Sequence, residues 1–134
     1  MRNPLVLSVL AALLLASAAF AAKPLSGTAE LNDLNASGIT GTASIKVDAD
    51  GNARVHMQLD GLTPGGVYDL VLYFSGPTCG SGTRVEITEF TANPAGKANF
   101  NVVVGPQAAP PIVGITSITV EQGAQLSCGE ISLQ

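Results

Sequence analysis

Residues 61–74 read GLTPGGVYDLVLYF. The Pro and the paired Gly predict a tight turn, because Pro presets φ and Gly accepts positive φ. The Val, Tyr, Leu and Phe that follow form a run too short for an ordinary helix, so they predict a strand. Apolar side chains occupy both alternating sets of positions, which is typical of a strand covered on both faces. This central strand carries none of the polar ligands that a metal or catalytic site on it would need.

The beginning of the chain, residues 1–22, has the pattern of a secretory signal peptide. Arg2 precedes a long Leu/Ala run that ends in small residues, and cleavage is expected after Ala21 or Ala22. The alternative is an uncleaved membrane anchor. Residues 23–134 are then one mature domain in an oxidising compartment, either periplasmic or secreted.

Composition limits the partners of this mature domain. Without Arg2 the chain keeps five of its six basic residues against ten acidic ones, so its net charge is −5. A weakly acidic surface gives no electrostatic reason to bind nucleic acid or anionic lipid, and neither a nucleic-acid partner nor a membrane is expected after signal removal. Few charges, few aromatic residues and many small and β-branched ones indicate a compact all-β domain.

Short strands separated by Gly, Pro, Asn and Asp account for most of the mature chain. They are predicted near residues 27–31, 39–47, 53–60, 67–74, 85–90, 98–104, 112–121 and 129–133. The Pro-rich segment 106–111 cannot lie inside a sheet, because Pro lacks the backbone donor, so it is predicted as a crossing loop. About eight short strands joined by turns indicate an antiparallel Greek-key β-sandwich or flattened barrel.

Isolated polar residues give no strong catalytic or metal signal. His56 is the only histidine and falls on the polar face of its strand, where one imidazole supplies too few ligands for a metal. Residues 48–52 begin like a calcium loop but lack the closing Glu, so a hairpin turn is predicted. Glu86 and Glu89 are separated by an odd number of positions and are expected on opposite faces of a regular strand, which makes them a poor acid/base pair.

Cys79 and Cys128 are the only cysteines. In an exported domain they most economically form one structural disulfide. A redox-active pair is the alternative, but no Cys-x-x-Cys spacing supports it.

Four segments carry a family resemblance. Residues 61–65 resemble a Gly-Leu-Thr-x-Gly turn, and residues 91–98 resemble a Thr-Ala-Asp-x-x-Gly-x-Ala turn. Residues 112–121 resemble a strand that reads Ile-Ile-Gly-Arg-Thr and ends in His-Glu. Residues 125–131 resemble the motif Arg-Leu-Ala-Cys-Gly-Val-Ile. These motifs, in this order, resemble the copper–zinc superoxide dismutase family, and the two cysteines fall where that family places its disulfide. The resemblance covers most of the mature chain and implies a superoxide-dismutase-like sandwich.

The family binds copper and zinc through several histidines and one aspartate, and the first two copper histidines lie on the central strand. Aligned without a gap, they fall on Leu70 and Leu72. If the doubled Gly is an insertion, they fall on Val71 and Tyr73. We favour the second register, because it turns Asp69 outward and places both leucines in the core, and a slip of one residue exchanges the two faces.

The remaining family positions are also altered. The later copper histidine corresponds to Val120, the arginine that guides superoxide to Gln125, and the zinc aspartate to Glu86. The histidine-bearing zinc loop is mostly missing. Dismutation requires a redox metal, so the resemblance implies a retained scaffold without metal, cofactor or catalytic residues.

The sequence therefore predicts an exported, non-catalytic domain that acts by binding or as a structural part. One alternative is a dismutase or copper-handling protein whose metal site a partner completes; another is an unrelated immunoglobulin-like or fibronectin-like binding module. Val71, Tyr73 and Val120 are expected to point outward as an apolar patch. We expect the 106–111 loop to cover this patch, the alternative being a protein partner or a second copy anchored on Tyr73.

Overall fold

The computed structural model describes residues 24–134, and the expectations for the signal segment lie outside these residues. Eight strands follow one another along the chain, with one 3₁₀ turn, Ile112–Gly114, before the seventh. The strands are β1 Leu25–Asp33, β2 Thr40–Val47, β3 Ala53–Asp60, β4 Val67–Phe74, β5 Thr83–Thr91, β6 Ala98–Val104, β7 Ile115–Gln122 and β8 Ala124–Glu130. Within this part of the chain, no helix has the length and apolar character that crossing a membrane requires.

All strand pairs are antiparallel, and the order across the sheet is β5-β4-β7-β8-β1-β2-β3-β6. The β1–β8 junction is short, with Asn32 opposite Cys128 and Asp33 opposite Ser127. The sheet therefore folds into two four-stranded layers, which form a nearly closed barrel. This is the all-β Greek-key arrangement that the sequence predicted.

The core lies between these layers and is built from the alternate residues of each strand. On β3, Val55 and Met57 are fully buried, while Arg54 and Gln58 face solvent. On β4, Leu70 and Leu72 are in the same interior cluster. This alternation follows from the two-residue period of a strand, which gives each strand one apolar face for the interior.

Tight turns fix the registers of neighbouring strands. The Asp48 carboxylate accepts hydrogen bonds from the backbone N–H groups of Asp50 and Asn52, at 2.9 and 3.0 Å, so it is a turn residue of the β2–β3 hairpin. Gly123, with φ of 76°, makes the still shorter β7–β8 hairpin. A positive φ is strained for residues with a Cβ, which explains glycine at this position.

The last two predicted strands differ most from the structure in their bounds. The last strand is Ala124–Glu130, not 129–133, because the turn at Gly123 sends the chain straight back along β7. The chain end still pairs locally, since Ser26 and Gln134 exchange two backbone hydrogen bonds of 3.0 Å. Residues 112–114 form the 3₁₀ turn that follows Pro111, so β7 begins only at Ile115.

Candidate functional site

The outer face of β4 and β7 is where the family resemblance would place the copper ligands. Val71 lies opposite Thr119, and Tyr73 lies opposite Ser117. These positions alternate with Leu70 and Leu72, which are in the interior cluster. The structure therefore has the register with Val71 and Tyr73 on the outer face, although both are buried, at 0% and 6% exposure.

Val120 does not belong to this outer face, and its assignment to an outward patch was wrong. It pairs with Leu70 across β4 and β7, and both side chains belong to the interior cluster. Directly opposed residues of neighbouring strands point to the same side of the sheet. A register that turns Leu70 inward therefore turns Val120 inward as well, and leaves Thr119 and Glu121 on the outer face.

A buried carboxylate, Glu121, is the centre of the outer face, and sequence reasoning did not identify it. Only 6% of the Glu121 surface is exposed to solvent. The Tyr73 hydroxyl and the Thr119 hydroxyl both donate to Oε2, at 2.8 and 2.6 Å. Arg84, from β5, donates from Nε to Oε1 at 3.2 Å, and its Nη2 lies 3.2 Å from the same oxygen. Both carboxylate oxygens are thus bound by side chains of this chain.

Gln125 joins this cluster to the disulfide loop, by which we mean residues 75–82 between β4 and β5. Its Nε2 donates to the Tyr73 hydroxyl at 3.0 Å and to the Gly80 carbonyl at 2.7 Å. The Gly80 N–H in turn donates to Ser117 Oγ at 2.9 Å. Gly80 has a φ of 75°, a backbone conformation that is strained for residues with a Cβ, so glycine fits this position.

The predicted disulfide between Cys79 and Cys128 is confirmed, with 6.1 Å between the two Cα atoms. It attaches the disulfide loop to β8, where Cys128 lies opposite Thr119 of β7. The loop is consequently held beside Tyr73 by one covalent bond and by the hydrogen bonds of Gly80.

The 106–111 loop, in contrast, does not cover Tyr73, and that expectation was wrong. A Cβ on Gly51 would meet Pro106 at 2.9 Å, which places the loop beside the β2–β3 turn. A shallow pocket there is lined by Val47, Gly51, Pro106 and Pro111. The chain covers the outer face of β4 with Gln125 and the disulfide loop instead.

Charge and burial shift the ionisation of two groups in the cluster. Burial, and then the hydrogen bond to Glu121, raise the pKa of Tyr73 above its ordinary value of 10.0. The hydrogen bond to Glu121 likewise raises the pKa of Arg84. Both shifts have the same origin, which is the close contact of the two side chains with the Glu121 carboxylate.

The raised pKa of Tyr73 predicts a loss of stability at alkaline pH. Above about pH 10 the unfolded chain releases the phenolic proton while the native chain retains it, so the free energy of unfolding falls as pH rises. Tyr73→Phe removes the phenolic group and with it this pH dependence. Between pH 9 and 11 we expect urea unfolding to show a smaller loss of stability in Y73F than in the wild type. Equal losses of stability in the two proteins would contradict the raised pKa of Tyr73.

Glu86 belongs to a second, exposed group of carboxylates on this outer face. The pairing of β4 with β5 shifts between Leu70 and Val71, so that Glu86 lies opposite Val71 and Glu89 opposite Asp69. The shift leaves Ile87 unpaired and turns both glutamates to the same side, which corrects the expectation of opposite faces. A hydrogen bond to Asp69 and the charge of Asp69 raise the pKa of Glu86.

The donor set on this face does not fit copper or zinc. Oxygen and amide groups replace the imidazoles that these metals prefer, and Arg84 already holds the Glu121 carboxylate. Within residues 24–134, no three His, Cys, Asp or Glu side chains are placed to share a metal ion. His56 lies on the outer face of β3, with its Nδ1 3.0 Å from Oδ1 of Asn101.

Comparison with known proteins supports the architecture only at the level of structure. No family model matches the sequence, and no curated protein matches it. Copper–zinc superoxide dismutase from Brucella abortus superposes with a TM-score of 0.57 and 18% identity, over 78% of this chain and 98% of that one. A point mutant of superoxide dismutase 5 from Candida albicans gives 0.56 and 18%, over 81% and 91%. The chain therefore has the fold of the copper–zinc superoxide dismutases.

Proposed function

We propose that this chain is an exported, non-catalytic domain, in which the superoxide dismutase scaffold has a binding or structural role. The observation that carries the proposal is the closed side-chain network at Glu121. Where the scaffold of a dismutase would present metal ligands, this chain presents a carboxylate bound by Tyr73, Thr119 and Arg84.

The network opposes metal chemistry for two physical reasons. A copper ion entering it would have to displace the Arg84 guanidinium from the carboxylate, which breaks a charge-assisted hydrogen bond. The ion would then find hydroxyl and amide oxygens, which are poor ligands for copper compared with imidazole. Superoxide dismutation needs a metal that cycles between two oxidation states, and this face offers no ligand set that would hold one.

Export is supported by the cysteine chemistry and by the beginning of the sequence. The Cys79–Cys128 disulfide is typical of proteins outside the reducing cytosol. Residues 1–22 have the charge and apolar pattern of a secretory signal, with small residues at their end. A periplasmic or secreted location accounts for both features.

Metal analysis tests the non-catalytic role. The mature chain would be dialysed against copper and zinc, freed of loosely bound ions with a weak chelator, and measured by elemental analysis and a superoxide dismutation assay. We expect well under one metal per chain and no activity above that of free buffer. A copper–zinc superoxide dismutase treated identically is the positive control. One tightly held copper per chain together with dismutation would overturn the proposal.

A further inference from the structure

The two ends of the sheet, β5 and β6, leave a strand edge unpaired on each side. In the strand ladders of residues 24–134, β5 pairs only with β4 and β6 only with β3. Near the turn that joins them, β5 and β6 come together through Phe90 and Phe100, whose ring centroids are 4.7 Å apart. Unpaired strand edges carry rows of backbone donors and acceptors that another strand can extend.

The β6 edge lacks the protection that natural proteins usually give to such strands. Its sequence, Ala98–Val104, is ANFNVVV and contains no charged residue and no proline. On its outer face Val103 is 58% exposed, the second highest value among the large apolar residues of the described chain. On its inner face Phe100, Val102 and Val104 are only half-buried. Such a segment has high β-propensity and no charge to oppose pairing.

The β5 edge is different, because charges protect it. Arg84, Glu86 and Glu89 lie on this strand, and Asp69 lies beside them on β4. Two β5 strands brought together would set these carboxylates near those of the other copy, and like charges in close cross-strand positions are destabilising. The charge pattern thus distinguishes the two edges of one sheet.

We propose that the β6 edge is a self-association surface, which pairs antiparallel with β6 of a second copy of this chain. A two-fold axis relates the two copies, so each presents the same strand to the other. Because β6 carries no charged residue, pairing it with itself brings no like charges face to face across the strands. Asn101 is the middle residue of β6 and lies opposite itself, and the backbone hydrogen bonds of the sheet continue from one copy into the next.

The area of contact makes this association weak. A seven-residue strand pair covers less surface than the roughly 1,200 Å² or more that stable protein interfaces bury. The net negative charge of both copies acts against it at low salt. We therefore expect a reversible dimer with a dissociation constant on the order of 10² µM, which strengthens as salt screens the charge.

Sedimentation of the disulfide-bonded mature chain tests the surface. From about 10 µM to about 1 mM, the weight-average mass should rise from the monomer toward twice the monomer value. Asn101→Lys should hold the mass at the monomer value, because two lysines then face each other across the axis. Asn101→Glu should do the same. An equimolar mixture of N101K and N101E should restore the dimer, since opposite charges then meet.

Gln58→Lys is the matched control, because it adds the same charge to the same outer face. Gln58 is exposed and lies one strand inward, opposite Asn99 of β6. Q58K should associate like the wild type. Since Asn101 also lies 3.0 Å from His56, the fold of each variant is checked by thermal melting. The double change Asn99→Lys and Val103→Lys repeats the test without touching that contact, because position 99 of one copy then faces position 103 of the other. Three results would each overturn the proposal. The wild type could stay monomeric at about 1 mM, N101K and Q58K could lose dimerisation equally, or the mixture of N101K and N101E could fail to associate.

Discussion

Replacing Cys79 and Cys128 together with alanine is expected to lower the free energy of unfolding by about 4 kcal/mol. The two cysteines are 49 residues apart, so the bond closes a long loop in the unfolded chain. The bond lowers the conformational entropy of the unfolded chain. Removing it returns that entropy to the unfolded chain, which favours unfolding. Total stabilities of small domains are about 5–15 kcal/mol, so this loss is a large share.

Urea unfolding of the two proteins measures the effect, with the wild type in reducing agent as the control. Reduction should reproduce the loss seen in the double variant, because both remove the cross-link. Alanine is preferred to serine because Cys128 is buried, at 4% exposure, where a hydroxyl would need a new partner. An unchanged unfolding midpoint, or two free thiols in the oxidised wild type, would contradict the prediction.

Removing the disulfide should also loosen the cover over Tyr73. The disulfide loop reaches this residue through Gly80 and Gln125, whose amide donates to both the Gly80 carbonyl and the Tyr73 hydroxyl. One covalent bond therefore supports both the stability of the fold and the burial of the outer face of β4.

Local sequence signals were enough for the strands and the class of fold. The alternation of Val55, Met57 and Leu59 is confirmed as one buried face of β3. Only two cysteines are present, so their pairing required no choice. The period-2 rule was also correct for β4, because the observed register buries Leu70 and Leu72 and at the same time keeps the Asp69 carboxylate out of the core.

Irregular pairing explains what the sequence could not predict. The shift between Leu70 and Val71 turns Glu86 and Glu89 to one side, and no residue type announces a bulge at that point. The Glu121 network joins residues from three strands, and Arg84 and Tyr73 lie 37 and 48 positions from Glu121 along the chain. The one available signal was the alternation of Ser117, Thr119 and Glu121 on β7, which predicts a polar face on a strand whose other residues are apolar.

Which loop lies over the outer face of β4 depends on the paths that the loops take, and amino-acid composition does not determine those paths. A Pro-rich loop has the composition to lie over an apolar patch, but the 106–111 segment lies beside Gly51 instead. Tyr73 also differs from an apolar patch residue, because its hydroxyl is bound by Glu121 and Gln125. A tyrosine at 6% exposure offers little surface to a partner, whereas the β6 edge presents a whole strand.

Replacing Arg84 with methionine is expected to destabilise the domain by about 2 kcal/mol, because the buried Glu121 then loses its only charged partner among the contacts described. Breaking a fully buried pair costs about 3–5 kcal/mol. The side chain of Arg84 is 45% exposed, against 8% for Glu121, so solvent screening reduces the figure. Methionine keeps much of the apolar stem of arginine, and the loss then reports the guanidinium.

A double-mutant cycle with Glu121→Gln separates charge compensation from packing. In the double variant no buried charge is left unpaired, and the amide carbonyl introduced by E121Q can still accept the hydroxyl hydrogen bonds of Tyr73 and Thr119. The double variant should therefore regain more than half of the stability lost in R84M. The matched control is Lys97→Met, because Lys97 and Asp60 form an exposed pair at 2.7 Å, with side chains 63% and 58% exposed.

Exposed ion pairs contribute about 0–1 kcal/mol, so K97M should change the free energy of unfolding by no more than about 0.5 kcal/mol. The measurement is urea unfolding of the wild type and of each variant at one pH and salt concentration. If R84M loses no more than K97M, or if the double variant is less stable than R84M, Arg84 does not neutralise Glu121. In that case the outer face of β4 and β7 would hold a carboxylate that remains available to a cation, which is the situation that the closed network excludes.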